Sequence, residues 1–302
     1  MLDKLFVAPA NARAAFDRIP TSSFERFDFV KDLNRKSFHK MLWRHSLTRL
    51  SLFAVLTTRT MSFTPGKKCC IVVGLGKGGI GDNLAKKFSK EGYNVAMVAR
   101  SNLERLEKEI PNSKSYQCDA GDPEQVTKTI ASIQEDMGKS EIDALMYNVG
   151  SGVFKPFGDT SYEEFELSWR VGPAGVFLWS KLCVPHMGEG SSIGLTGATA
   201  SWRGMPFTPA FASAKMATRG LAQALARDLG PSKGIHVFHV IIDGIVNIDP
   251  TALSKFNKKE NEVLNPSVIA DTYWMLHQQP PNCWTQEIHL AAQGAFGSIA
   301  SI

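Results

Sequence analysis

The stretch that most constrains this chain is Cys69–Gly81, in which an apolar run, Cys69 to Val73, meets five glycines within eight residues (Gly74, Gly76, Gly78, Gly79, Gly81). Leu84, Ala85 and Phe88 then recur at helical spacing until Gly92. A buried strand that turns through glycines into a helix lets the backbone approach a bound group closely. The helix N-terminus adds free amides and partial positive charge. A pyrophosphate fits such a turn, and the strand–turn–helix context makes this glycine pattern a dinucleotide-binding fingerprint.

The rest of the chain continues the alternation. Strands are predicted at 94–99, 114–118, 142–147, 192–195, 235–242 and 287–290. Helices are predicted at 79–91, at 101–110 with Ser101 as cap and Pro111 as stop, and from Asp122-Pro123 to about Met137. Further helices are expected at 161–182, interrupted near Gly172-Pro173, at 207–229, closed by Gly230-Pro231, and at 251–263 and 266–278. Regular alternation predicts an α/β fold with a doubly wound parallel sheet and helices on both faces, a Rossmann fold. We read residues 63–302 as a single dinucleotide-binding domain and residues 1–62 as an N-terminal extension.

Charge separates the two. Residues 33–81 hold nine Lys/Arg and no Asp or Glu, although the net charge of the 302-residue chain is only +5. The Arg- and Ser-rich, acid-poor stretch Met41 to Thr60 has the character of a mitochondrial transit peptide, or of a disordered tail. The five acids in residues 1–32 suit a leader starting at Met41 better than one starting at Met1, and Met61 is a third candidate start. The expected location is mitochondrial if residues 41–60 act as a leader and otherwise cytoplasmic. Five cysteines without ligand spacing give no zinc or disulfide framework, and no apolar run reaches the ~18–20 residues of a membrane span. Nothing points to nucleic acid.

A dinucleotide site that prefers NAD carries an acid at the end of the second strand. Here Ala99 and Arg100 stand there, with Lys77 in the loop, and a guanidinium suits a 2′-phosphate. The expected cofactor is therefore NADP(H), with NAD as the alternative.

Residues 67–302 resemble the short-chain dehydrogenase/reductase family. Gly79 and Gly81 match the last two glycines of its cofactor loop. The first falls on Leu75, so either Gly74 or Gly76 serves in its place. The resemblance implies that Asp119 meets the adenine and that Asn148 and Gly150, in Tyr147-Asn148-Val149-Gly150, follow the fourth strand as in the family. Ile80 in the loop, Lys215, and Gly244 and Val246 after the sixth strand complete the expected cofactor site.

The family's chemistry uses Asn, Ser, Tyr and Lys, and the Tyr-x-x-x-Lys spacing sets both side chains on one helix face. The matching run is Phe211-Ala212-Ser213-Ala214-Lys215. Lysine is kept, and tyrosine has become Phe211. Ala198 stands at the Ser position, and Gly172 at the Asn position. No Tyr lies between residues 163 and 272 to rescue the frame. The Pro-Gly after strand six has become Asp243-Gly244, and Ile248 replaces a Thr that holds the carboxamide.

Two readings remain open. The first is an NADP(H)-dependent oxidoreductase with an atypical active site, in which a water, Thr199 or a substrate proton replaces the tyrosine. Some family members that reduce activated carbon–carbon double bonds manage without it. The second is a catalytically inactive sensor or scaffold. Losing a general acid typically costs ~10²–10⁴ in rate, whereas the retained cofactor residues argue that nucleotide binding is still used. Trp169, Trp202, Phe207 and Phe211 are candidates to line a pocket for a flat or apolar substrate, and His236 and His239 are expected in the sheet. The expected assembly is a homodimer or homotetramer.

Overall fold

The computed structural model describes residues 63–64, 66–246, 251, 253 and 257–295. Contacts divide the chain into Met1–Leu56 and Thr57–Ile302, and the described residues belong to the second unit. The expectations for residues 1–62, for Ile248 and for most of 251–256 lie outside the described residues.

Seven parallel strands form one sheet: β1 (Cys69–Val73), β2 (Asn94–Ala99), β3 (Ser113–Gln117), β4 (Ile142–Tyr147), β5 (Ser192–Thr196), β6 (His236–Asp243) and β7 (Glu287–Ala291). Their spatial order is β3-β2-β1-β4-β5-β6-β7. The chain moves outward from β1 to β3, then crosses back to set β4 on the other side of β1. That reversal opens a crevice at the carboxyl ends of β1 and β4, the place where doubly wound sheets bind ligands.

Both faces of the sheet are covered, so β1, β2, β5 and β6 are buried at every residue rather than at alternate ones. Ile71, Val73, Val98, Leu145 and Ile193 face α3 (Pro123–Asp136), α5 (Gly175–Cys183) and α6 (Pro209–Lys233) through Val126, Ile130, Trp179 and Ala222. Val72, Val95, Met97, Met146 and Phe238 face α1 (Ile80–Lys90), α2 (Glu104–Glu109) and α7 (Pro266–His277) through Leu84, Phe88, Leu106 and Tyr273. Asp122 caps α3 as expected, accepting from the amides of Glu124 and Gln125, with Pro123 as the first helical residue.

Four helix boundaries differ from expectation. Ser101 does not cap α2, which starts at Glu104 with Asn102 Oδ1 accepting from its amide at 2.7 Å. The helix expected to begin at Phe207 begins at Pro209, because Phe207 has a left-handed backbone, φ 67°. That helix also runs through Gly230-Pro231 to Lys233, where left-handed Gly234 (φ 67°) ends it and returns its amide to the Gly230 carbonyl. Residues 257–263 form no α-helix: left-handed Asn257 precedes a single tight turn, Glu260–Glu262.

The interruption near Gly172-Pro173 is present. α4 (Tyr162–Trp169), capped reciprocally by Ser161 and Glu164, meets α5 through a π-helical segment, Arg170–Ala174. Pro173 offers no amide to the helical ladder, and Gly172 leaves helical geometry (φ −88°, ψ −112°). The buried Tyr147 hydroxyl donates to the Val171 carbonyl at 2.7 Å. A Cβ on Gly175 would stand 2.1 Å from that hydroxyl oxygen. Gly175→Ala is therefore expected to destabilise the protein by about 1–3 kcal/mol through overpacking. Tyr147→Phe in the same chain should recover part of the loss, which a double-mutant cycle in urea would read as a favourable coupling.

Candidate active site

The glycine turn joins β1 to α1. Gly74 (φ 92°) gives its amide to the Val98 carbonyl, and a Cβ there would lie 2.8 Å from the Asn148 carbonyl oxygen. A Cβ on Gly81 would lie 2.3 Å from the Gly74 carbonyl oxygen. These two glycines let the turn fold onto α1 and β4, whereas Gly76 faces open space. Asn148 ties the strands together, with its amide on the Val73 carbonyl and its side chain donating to the Gly74 carbonyl at 2.9 Å.

Asp82, in the first turn of α1, was not singled out from sequence. Its Oδ2 accepts from the Gly78 amide at 2.7 Å, and its buried Oδ1 has no hydrogen-bond partner. Burial pushes its carboxyl above the usual range. An acid in a first helical turn beside glycines was the available signal.

A cavity of about 440 Å³ runs over this turn. Gly74, Gly76, Lys77, Gly79, Ile80 and Gly81 line one side, with Arg100, Asp119, Asn148 and Gly150 around them. Arg100 is exposed at its rim. Asp119 accepts from the Gly121 amide and stands 3.7 Å from Arg170.

A second cavity, of about 460 Å³, shares Ile80, Asn148 and Gly150 with the first and contains Lys215, Phe211, Ala198, Thr199 and Gly244. Val246 lies apart from both, bridged to Leu264 and packed on the core. Lys215 is 7% exposed, and its Nζ donates to the carbonyls of Thr196 (2.7 Å) and Val149 (3.4 Å). Burial pushes its ammonium down to about 8. Phe211, one helical turn earlier, packs against Phe154 with ring centroids 5.0 Å apart, and Lys215 Nζ stands 5.8 Å from its ring.

The Phe211, Ala198 and Gly172 side chains offer no donor. A Cβ on Gly172 would point at Ala214 Cβ, 3.3 Å away on α6, so a side chain there meets the helix. Phe207 lines an adjoining apolar cavity with Pro156, Met205 and Met216. Trp169 and Trp202 line none of these cavities: Trp169 donates to Ser213 Oγ, and Trp202 packs on His289 at 4.6 Å.

Two polar sets lie behind this cavity. Ser201 and fully buried His239 connect to Glu287, which Arg219 holds with two bonds of 2.6 and 2.7 Å. His236 stacks on Trp284, with centroids 4.9 Å apart. In the second set, Thr199 Oγ1 donates to Asp243 Oδ1, and Asp243 Oδ2 lies 3.0 Å from His289 Nε2. Among the described residues no cluster of His, Cys, Asp and Glu could hold a metal, and no helix is long and apolar enough to cross a membrane.

The Lys215 shift has a testable sign. Between pH 8 and 10.5 the folded protein has released a proton that the unfolded chain keeps, so wild-type stability gains with pH from this group. The stability difference between wild type and Lys215→Met should therefore move in the wild type's favour across that window. Paired urea titrations showing a pH-independent difference would contradict a buried ammonium.

Known proteins share this frame. A family model described as enoyl-(acyl carrier protein) reductase matches residues 74–271. A versicolorin reductase of Emericella nidulans is 31% identical over 174 residues, 55% of this chain and 65% of that protein. Carbonyl reductase [NADPH] 2 of Sus scrofa is 31% identical over 168 residues, 54% of this chain and 66% of that one. The matches thus span slightly under two thirds of these relatives. The crystal structure of a short-chain dehydrogenase from Rhodopseudomonas palustris superposes with a TM-score of 0.63 at 31% identity, covering 75% of this chain and 99% of that one. The chain belongs to the short-chain dehydrogenase/reductase family of oxidoreductases.

Proposed function

We propose that the protein is an NADP(H)-dependent oxidoreductase acting on an apolar carbonyl or alcohol through an atypical active site. The observation that carries this reading is the pair of adjoining cavities from the glycine turn to buried Lys215. Gly74, Gly76, Gly79 and Gly81, with the N-terminus of α1, would hold the pyrophosphate. Lys77 and Arg100 would meet a 2′-phosphate, Asp119 the adenine, and Asn148, Gly150 and Gly244 the nicotinamide end. Lys215 would hold the ribose hydroxyls. When bound, the dinucleotide supplies or accepts a hydride. The named NADPH dependence of the Sus scrofa relative supports the same cofactor.

Phe154, Phe211 and Met205 give the substrate end an apolar lining. The exposed Phe165, Trp169 and Phe177 on α4 and α5 supply apolar surface for a homodimer or homotetramer. Residues 1–62 belong to this proposal as an extension that targets the chain when 41–60 act as a leader.

Calorimetry tests the cofactor. NADPH should bind at least roughly tenfold tighter than NADH, and Arg100→Ala should erase most of that gap. Equal affinities, or no binding, would sink the proposal. The active site has its own test. Phe211→Tyr alone should gain little ketone reductase activity, because groups that work as a unit are non-additive. Phe211→Tyr with Ala198→Ser should exceed the sum of the single changes. Adding Gly172→Asn crowds the Ala214 methyl, 3.3 Å from the new Cβ, and should gain activity only where α6 gives way.

A further inference from the structure

The loss of the hydroxyls at 211 and 198 leaves a question about the proton that accompanies a hydride. Three threonine hydroxyls line the Lys215 cavity: Thr196, Thr199 and Thr208. Thr196 is bonded to the buried Tyr273 hydroxyl at 2.7 Å. Thr208 caps its own turn, donating to the Met205 carbonyl and accepting from the Met205 amide. Thr199 alone of the three is bonded to an acid, Asp243.

Asp243 is 5% exposed, and its other oxygen meets His289, whose side chain is 25% exposed. Three consecutive strands assemble this chain of groups. Thr199 follows β5, Asp243 closes β6, and His289 lies in β7. The β6–β7 register pairs Ile241 with His289 and Asp243 with Ala291, so Asp243 and His289 share a sheet face one diagonal step apart. The path leads from a half-buried hydroxyl in the cavity, through a buried carboxylate, to an imidazole that reaches solvent.

The loop does not need these bonds to hold its shape. The Gly197 amide already meets the Val240 carbonyl, the Arg203 amide meets the Thr199 carbonyl, and Ser201 Oγ accepts from the Ala198 amide. Among the described residues the charged and titratable groups facing Asp243 are Arg203, at 3.6 Å, and His289. Lys215 stands on the cavity wall, and His239, Glu287 and Arg219 occupy the neighbouring positions of β6, β7 and α6.

We propose that Thr199 is the catalytic residue that exchanges a proton with the substrate oxygen, and that Asp243 and His289 carry that proton between Thr199 and solvent. The proposal rests on the oxidoreductase reading above. In the oxidising direction the substrate O–H bond breaks and its proton forms a new O–H bond on Thr199. Thr199's own proton passes to the Asp243 carboxylate. The carbinol C–H bond breaks in the same reaction, and its hydride reduces the oxidised nicotinamide dinucleotide, leaving the substrate as a ketone. Asp243 then returns to the carboxylate by losing its proton through His289 to water. Ketone reduction runs the same path backwards.

The test uses the full chain with NADP and the α-tetralol/α-tetralone pair as a flat, apolar probe. Thr199→Val should lower kcat about a hundredfold or more in both directions, the range of general acid–base catalysis. KM and NADPH affinity by calorimetry should stay within about threefold. Thr199→Ser should restore most of the rate. Asp243→Asn should fall with Thr199→Val, and combining the two should cost little more than either. His289→Gln should lower kcat with KM unchanged and add little to the loss in Asp243→Asn. If Thr199→Val does not fold, Thr199→Ala takes its place. Wild-type kcat in the folded Thr199 variant, or an equal loss in Thr199→Ser and Thr199→Val, overturns the relay. So does a wild type that binds NADPH but turns over neither probe, with the cofactor site left standing. Failure to bind NADPH at all removes the oxidoreductase reading itself.

Discussion

At the junction of β1 and β4 the chain of β1 has just turned into its glycine loop, and Asn148, the first residue after β4, reaches across to it. Its amide meets the Val73 carbonyl, and its side chain donates to the Gly74 carbonyl at 2.9 Å. The contact requires that Gly74 carry no Cβ, since one would stand 2.8 Å from the Asn148 carbonyl oxygen. Everything downstream depends on this seam. It holds the carboxyl ends of the two central strands together where their connections part to opposite sides of the sheet, and so keeps the crevice in one place. The glycine loop, the helix N-terminus behind it and Gly150 are all positioned relative to it.

From that seam the site extends toward Lys215, whose charge is the most expensive feature of the cavity. An ammonium 7% exposed, held by two carbonyls and paired with no carboxylate among the described residues, is destabilised by burial, which pulls its pKa down to about 8. Such a group persists most readily where a bound partner with hydroxyl or anionic oxygens compensates it, as strongly perturbed groups in clefts do. Phe211 makes the neighbouring space apolar, and Phe154 closes over it. The acid–base equipment sits instead on the strand side of the cavity, where Thr199 touches Asp243.

Legibility followed sequence distance. Phe211 and Lys215 share a helix face because they are four residues apart, so their pairing was readable directly. Asp122 as a cap, the glycine turn and the broken helix at Gly172-Pro173 were readable for the same reason, since each is decided within a turn or two of chain. Where local signals competed, they misled. Gly230-Pro231 looked like a stop, yet α6 continues to Lys233, because Pro231 removes one amide while the left-handed backbone of Gly234 supplies the true end. Phe207 looked helical, but its left-handed backbone keeps it outside the helix and beside the adjoining apolar cavity.

The class of fold and the glycine turn follow from local patterns in the sequence. Apolar runs that alternate with helical periods have few packed solutions, and glycine–strand–helix geometry is local. Which polar groups meet is set by the packing of the whole sheet. Thr199, Asp243 and His289 are 44 and 46 residues apart along the chain. They touch because β5, β6 and β7 are adjacent and in register. No periodicity in the sequence encodes that contact, since strand order and register arise from how the whole sheet packs against its helices.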